Sequence, residues 1–287
     1  MKLERRERPD SISAASSDVL CKIPVFRPVA VKLLRLLSNA DVDIFEIVEL
    51  LKSDPGFSAE FLTSANSAVY AVLSRVNTIE RAVLMMGIAK TKVLVTRAAL
   101  QGMIRGLEEN VAIQNCWIHS RATASIAEWL AGYYRLHAER AYTVGLMHDI
   151  GRLGLLAAHS GRYAELLNRV TGSNSDLLDA ERMLLTVDHC QAGEWLTRTW
   201  GLPKEFQAAA AHHHEPLEGS AGDQIDLVRM ACSLALGFKA APLIETESVE
   251  AILETIPDLP APRSQFSLSD LSTHLQNELQ VGPASVQ

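Results

Sequence analysis

Aromatic residues make up only 6% of this 287-residue sequence, acidic residues outnumber basic ones, and the four cysteines (Cys21, Cys116, Cys190, Cys232) include no CxxC pair. Each shortage excludes something. A formal net charge of -7 argues against general binding to nucleic acid or to an anionic membrane, both of which need a positive surface. Scattered cysteines supply no disulfide framework, so a reduced, cytoplasmic setting is expected. No uninterrupted apolar run approaches the ~18 residues of a membrane span. The charged stretch Lys2 to Asp10 is not followed by the apolar core of a signal peptide. Phosphate-cradling glycine loops are missing as well, and no segment alternates apolar and polar residues as a strand would.

What is present is helical periodicity, in a chain with 48% hydrophobic residues and room for one large domain or two ordinary ones. After Pro28, Ala30, Leu33, Leu34 and Leu37 share one face. Asp41 or Asp43 can cap the next helix, with Ile44, Ile47, Val48 and Leu51 inward. Asp54-Pro55-Gly56 is expected to stop it, and a third helix to cover about Phe57 to Tyr70. Within that helix Asn66 predicts local side-chain hydrogen bonds at a bend. Thr78 caps the following helix and Gly87 ends it, with another over about Ile88 to Arg105. Gly106 to Asn110 reads as a linker. Later helices are expected over about Leu178 to Trp200 and Ile225 to Phe238. Residues 1–20 read as a disordered tail, and 241–287 as a C-terminal tail with short helices. The fold class is all-α, a multi-helix bundle.

The chemistry gathers around Gly145-Leu146-Met147-His148-Asp149-Ile150-Gly151-Arg152. On a continuous helix Gly145, His148, Asp149 and Arg152 would occupy a single face, at i, i+3, i+4 and i+7. Polar groups on an otherwise apolar face must be paired, hydrogen-bonded or metal-bound. His119, His189 and His213 each fall on an apolar stripe of another helix, and His214 follows His213. One such histidine is more often a core residue with a hydrogen bond than a ligand. Several beside a His-Asp pair make the imidazole and carboxylate set that suits Fe, Mn, Zn or Ni, as one ion or two. His212 reads as solvated, and His137, His159 and His274 as surface or loop residues. The four tryptophans read as core fillers.

Two sets of residues carry a family resemblance. In the first half they are Ile23-Pro24, Ser53-Asp54-Pro55, Ser64-Ala65-Asn66-Ser67-Ala68-Val69-Tyr70 and Thr78-Ile79-Glu80-Arg81-Ala82 followed by Gly87. In the second they are Trp117-Ile118-His119-Ser120, Gly145 to Gly151, Asp188-His189, Trp200-Gly201-Leu202-Pro203 and His213-His214. Over about residues 20–240 the chain resembles the HDOD family, relatives of the HD and HD-GYP metal-dependent phosphohydrolases. The resemblance implies an HDOD domain over 21–240, divided into an N-terminal helical subdomain (21–108) and an HD-like subdomain (109–240). It implies His119, His148 and Asp149 as the first metal positions, Asp149 as a bridge, and His189, His213 and His214 as ligands of a second ion.

Departures from the hydrolase pattern bear on activity. The later Asp that closes the hydrolase site is replaced by Cys232 within Met230-Ala231-Cys232-Ser233, with Asp223 and Asp226 one or two turns away. A thiolate can hold a soft metal but does not replace a hard, bridging carboxylate. No GYP loop follows His214, and Arg152 stands where the hydrolases carry Lys. Arg152 is a candidate phosphate contact or, by the blander reading, the partner of a buried carboxylate. Two functions follow. One is a non-catalytic signal-transduction protein with a degenerate, metal-holding site, acting on signalling proteins in trans. The other is a phosphohydrolase for a nucleotide or cyclic dinucleotide, so a nucleotide ligand is a further expectation.

Overall fold

Short polar side chains start the helices of the first half. The computed structural model describes residues 14–39, 41–66, 76–107, 109–169, 174–216, 223–237, 270, 271, 273 and 275. Its chain begins with α1 (Ala14–Leu20) and α2 (Pro28–Leu36), the latter with Pro28 at its first position. Asp43 accepts a hydrogen bond from Phe45 N at 2.9 Å and starts α3 (Ile44–Lys52). Asp54 does the same for Phe57 N and starts α4 (Pro55–Ala65). Thr78 caps α5 (Ile79–Met103) through Arg81 N. Each such cap is worth about 1 kcal/mol. Helices α2, α3 and α4 pack against α5. Phe57 and Phe61 are fully buried between them, each worth roughly 2–3 kcal/mol of apolar burial.

Several expected boundaries move. Ala14–Leu20 is helical, not part of a tail: Leu20 is buried, and Ser16 Oγ donates to Thr186 O at 3.0 Å. Residues 1–13 lie outside the described set. Asp54-Pro55 ends one helix and also begins the next, because Pro at a first helical position removes a donor that has no partner there anyway. The third helix ends at Ala65 instead of Tyr70, and Ser67 to Tyr70 fall outside the described residues. Asn66 bridges the chain: its Nδ2 donates to Leu62 O and Val76 O, and its Oδ1 accepts from Val76 N. Gly87 breaks α5 with φ 73° and ψ 173°, a conformation open to glycine and strained for other residues.

The second half opens at Asn110, which caps α6 (Val111–Tyr134). Then come α7 (Ala138–Met147), α8 (Ile150–Ala158), α9 (Ser160–Arg169) and α10 (Asn174–Leu185). They are followed by α11 (His189–Thr199), α12 (Lys204–His212) and α13 (Gln224–Gly237). Helix α6 packs on α7 and α13, α8 on α11, and α11 on α12, while α5 joins the halves through α7. The expected helix over Leu178 to Trp200 is two. Thr186 takes φ 62°, and a reciprocal cap between Asp188 and Gln191 starts α11 afresh. Of 241–287, the described residues include Leu271 and Leu275, both buried in the core, and the rest of that expectation lies outside them. No strand occurs among the described residues, so the fold is all-α.

Candidate metal centre

Two helix ends meet at the His-Asp pair. Helix α7 stops at Met147, Asp149 takes φ -104° and ψ 24°, and α8 starts at Ile150. This corrects the single continuous face expected for Gly145 to Arg152. His148 ends the first helix itself, since its Nδ1 donates to Gly145 O at 2.6 Å. The bend sets two adjacent side chains toward one buried centre, which their ~100° separation on a straight helix would oppose. Helix α8 is pressed against α11 with backbone in contact. A methyl on Gly151 would lie 1.9 Å from His189 O and 2.5 Å from Gly193 N. That closeness brings His189 beside Asp149 and Arg152.

The imidazoles share a pattern of proton placement. His148 commits Nδ1 to Gly145 O, His213 commits Nδ1 to Ala209 O at 3.1 Å, and His189 commits Nδ1 to Glu181 at 2.7 Å. Each therefore turns Nε2 inward, the arrangement by which neighbouring groups orient a metal-binding histidine. His148 Nε2 stands 3.3 Å from His119 Nε2, and Cys232 Sγ stands 3.5 Å from the same nitrogen. On the other side His214 Nε2 is 3.0 Å from His189 Nε2. Asp149 Oδ1 lies 3.7 Å from His189 Nε2 and 3.9 Å from His213 Nε2. Arg152 Nη1 is 3.1 Å from Asp149 Oδ2, and its Nη2 donates to His189 Nε2 at 3.2 Å.

Burial and charge fix the protonation states. Desolvation pushes His119 down to about 3, with His148 adding to the effect, and pushes His148 to about 4 against the opposing pull of Asp149 and Gly145 O, so both rings are neutral with lone pairs to offer. His213 and His214 are lowered for the same reason. Burial would raise Asp149, but Arg152 and the surrounding imidazoles outweigh it and hold the carboxyl well below its usual range. Burial drives the Cys232 thiol up, with Asp149 adding to the effect. At His189 burial opposes a charged ring and the Glu181 carboxylate favours one, with a raised pKa as the net effect. Arg152 works the other way. A guanidinium can only donate, so its contact with Nε2 selects the neutral ring protonated on Nδ1.

The donor set fits a metal ion. The ligand atoms of His119, His148 and Cys232 all lie within 4.8 Å of one another, as do those of His189, Cys190, His213 and His214. Nitrogens on one tetrahedral ion at ~2.0–2.1 Å stand about 3.4 Å apart, and a nitrogen and a sulfur about 3.6 Å. The His119–His148 and His119–Cys232 separations of 3.3 and 3.5 Å match those edges. Asp149 Oδ1 and Oδ2 and His213 Nε2 are buried and accept no hydrogen bond. The Arg152–Asp149 contact is thus an ion pair at Oδ2 that leaves Oδ1 open to a ligand.

The expected site residues His119, His148, Asp149, His189, His213 and His214 converge, and Arg152 joins them as the partner of a buried carboxylate. His212 is half-buried, with its side chain 40% exposed, and pairs with Glu215 at 2.7 Å, His137 is exposed, and His274 lies outside the described residues. Trp117 and Trp200 are buried in the core. Sequence reasoning missed Glu181, which accepts from His189 N at 2.8 Å, from His189 Nδ1, and from the buried Tyr163 hydroxyl at 2.6 Å. A signal existed, because Glu181 falls three residues after Leu178 and four before Leu185, on an apolar stripe. Cys190 was also missed as a candidate ligand.

Fold and cluster define an all-helical protein with a buried histidine–carboxylate centre. The chain belongs to the HDOD domain family, whose model matches residues 23–216. An uncharacterised protein of Treponema pallidum (strain Nichols) is 24% identical over 219 residues, covering 74% of this chain. That match takes in 41% of the relative, so this chain spans about two-fifths of its length. The crystal structure of a candidate phosphohydrolase from Shewanella amazonensis SB2B superposes with a TM-score of 0.69 at 23% identity, covering 94% of this chain and 99% of that one. A candidate signal transduction protein from Marinobacter aquaeolei VT8 gives 0.67 at 20% identity, covering 94% and 59%. These likenesses are of fold. No helix among the described residues is long and apolar enough to cross a membrane.

Proposed function

We propose that this chain is a regulatory HDOD protein that holds a divalent transition-metal ion in its histidine cluster and acts on signalling proteins in trans without hydrolysing a substrate. The observation that carries the reading is burial. A hydrolase must bring a phosphate and a water against its metal, yet His148, Asp149 and His189 are each 1% exposed and His213 is 3% exposed, with only His119 and His214 half-buried. Cys232, at 3.5 Å from His119, takes the place of the closing carboxylate and favours a softer ion such as Zn or Fe over Mn. His119, His148 and Cys232 would hold that ion, with Asp149 as the nearby carboxylate. When bound, it would cross-link α6, the α7–α8 junction and α13, a structural or sensing role in place of water activation. The description of the Marinobacter protein as a candidate signal transducer agrees with this reading.

The second reading, a phosphohydrolase for a nucleotide or cyclic dinucleotide, is favoured by the convergence of His189, His213 and His214 on the same centre and by the description of the Shewanella protein. One experiment separates the two. The purified chain is analysed for bound metals and assayed with bis(p-nitrophenyl) phosphate and cyclic dinucleotides under Mn, Fe and Zn. Bound metal with no turnover supports regulation. Turnover that disappears in Asp149→Ala overturns it.

A further inference from the structure

We propose that the Arg152 guanidinium is a tethered cation that fills the His189–His214 half of the centre and keeps a metal ion out of it. The inference rests on the metal-holding reading for the ion count of the other half, and its closing test separates the two. Arg152 Nη1 lies 3.1 Å from Asp149 Oδ2, and Nη2 lies 3.2 Å from His189 Nε2. A second ion shared by those two residues would need the same carboxylate and the same lone pair. A guanidinium has five donors and no acceptor, so Arg152 occupies the position without being able to ligate anything in it.

The surroundings hold the arrangement in place. Glu181 accepts a hydrogen bond from His189 Nδ1–H, which aims the Nε2 lone pair into the site, where the Arg152 N–H meets it. Arg152 is 9% exposed and keeps its charge at any ordinary pH, so loss of a proton cannot clear the position. Its buried Nε has no partner, and the head group is therefore held from the Nη side, by Asp149 and His189. Asp149 and Glu181 bring two negative charges to this half and Arg152 one positive charge, so the guanidinium already neutralises one of the two carboxylates on which a second dication would draw. No cation stands in the contacts that join His119, His148 and Cys232.

The test strips the full-length protein with chelator, titrates it with Zn²⁺, and counts ions by calorimetry and elemental analysis. The wild type is expected to take one ion per chain, lost in His119→Ala and retained in His214→Ala. Arg152→Gln is expected to take two, with the second lost again in Arg152→Gln/His214→Ala. Two ions in the wild type, or no gain in Arg152→Gln, overturns the inference. If the wild type takes none and Arg152→Gln takes one that depends on His214, the inference stands and the metal-holding reading falls. Should Arg152→Gln not fold, the wild-type background decides. An ion count unchanged by His214→Ala supports the inference, and a count lowered by it overturns it.

Discussion

On the α6 and α13 side of the cluster, His119, His148 and Cys232 face one another at 3.3 and 3.5 Å. On the α11 and α12 side, His189 and His214 approach to 3.0 Å beside the Arg152 guanidinium. Both halves are built of imidazoles, with Nδ1 committed on His148 in one and on His189 and His213 in the other, so residue type alone does not separate them. Charge does. A backbone carbonyl holds His148, whereas on the other side, beside the carbonyl-held His213, a carboxylate holds His189 and a permanent cation answers it. The first half keeps neutral rings and a thiol, which offer lone pairs. The second already holds a cation of its own between Asp149 and His189. A buried polar centre can therefore look like a symmetric ligand set and still be prepared for one ion.

The harshest way to break this contrast is to separate the helices that set it up. Gly151→Ala would put a methyl 1.9 Å from His189 O, a backbone atom that cannot rotate away. We expect a loss of about 4 kcal/mol or more in urea unfolding, with poor soluble yield. An unfolding midpoint close to wild type would show that α8 and α11 are not locked together here. Asp149→Ala comes next. It leaves Arg152 buried without its counter-ion and should cost about 3 kcal/mol in chelator-treated protein. Asp149→Ala/Arg152→Met should recover part of that loss, because deleting both charges is milder than stranding one. Equal stability of the single and double variants would mean that the ion pair is not what Asp149 contributes.

Much of this was legible in the sequence, unevenly. Periodicity and capping residues placed α2, α3 and α5 well, since Pro28 acts through its own fixed φ and Asp43 and Thr78 through bonds to neighbours in the chain. Spacing read His119, His189 and His213 as inward, and the family resemblance added His148, Asp149 and His214 to the set that converges. The bend at His148–Asp149 was not legible, because it arises from a side-chain bond to Gly145 O competing with the helix ladder. Nor was the break at Thr186, a non-glycine residue with positive φ whose local sequence reads as helix. Glu181 escaped notice because its meaning depends on a neighbour eight residues away and across that break.

Titration sharpens the comparison on the neutral side. His119 and His148 have folded pKa values pushed down to about 3 and about 4, below the unfolded value of 6.5. Between about pH 4 and 6.5 the unfolded chain binds protons there that the folded chain refuses. Stability from these groups is thus fully present above about 6.5 and is lost as pH falls toward about 4. For metal-free protein moved from pH 7 to pH 5, each such ring should account for about 2 kcal/mol. His148→Gln should remove that share of the pH dependence in denaturant melts, whatever its effect at pH 7. A variant as acid-sensitive as the wild type would mean that His148 is not refusing a proton. Glu181→Gln addresses the charged side and is expected to cost about 1–2 kcal/mol by weakening the bonds to His189 and Tyr163. It should leave the count of bound ions unchanged, and loss of the ion in this variant would place the metal on the wrong side.

The smallest effect belongs to the histidine next to the cluster in sequence and outside it in space. His212 ends α12 with its side chain 40% exposed, paired with Glu215 at 2.7 Å, one residue before the buried His213. An exposed pair of this kind contributes under about 1 kcal/mol because water and salt screen it. His212→Ala should therefore shift the urea midpoint only slightly, less at high salt than at low, and should leave metal content at the wild-type level. His213→Ala, measured beside it, removes a ring whose Nε2 is buried without a partner and lies 3.9 Å from Asp149. A like response from the two variants would mean that inward placement of these neighbours is not what distinguishes them. A clear difference would tie the behaviour of the centre to the face each ring occupies, since the two residues share a chemistry and are adjacent in the chain.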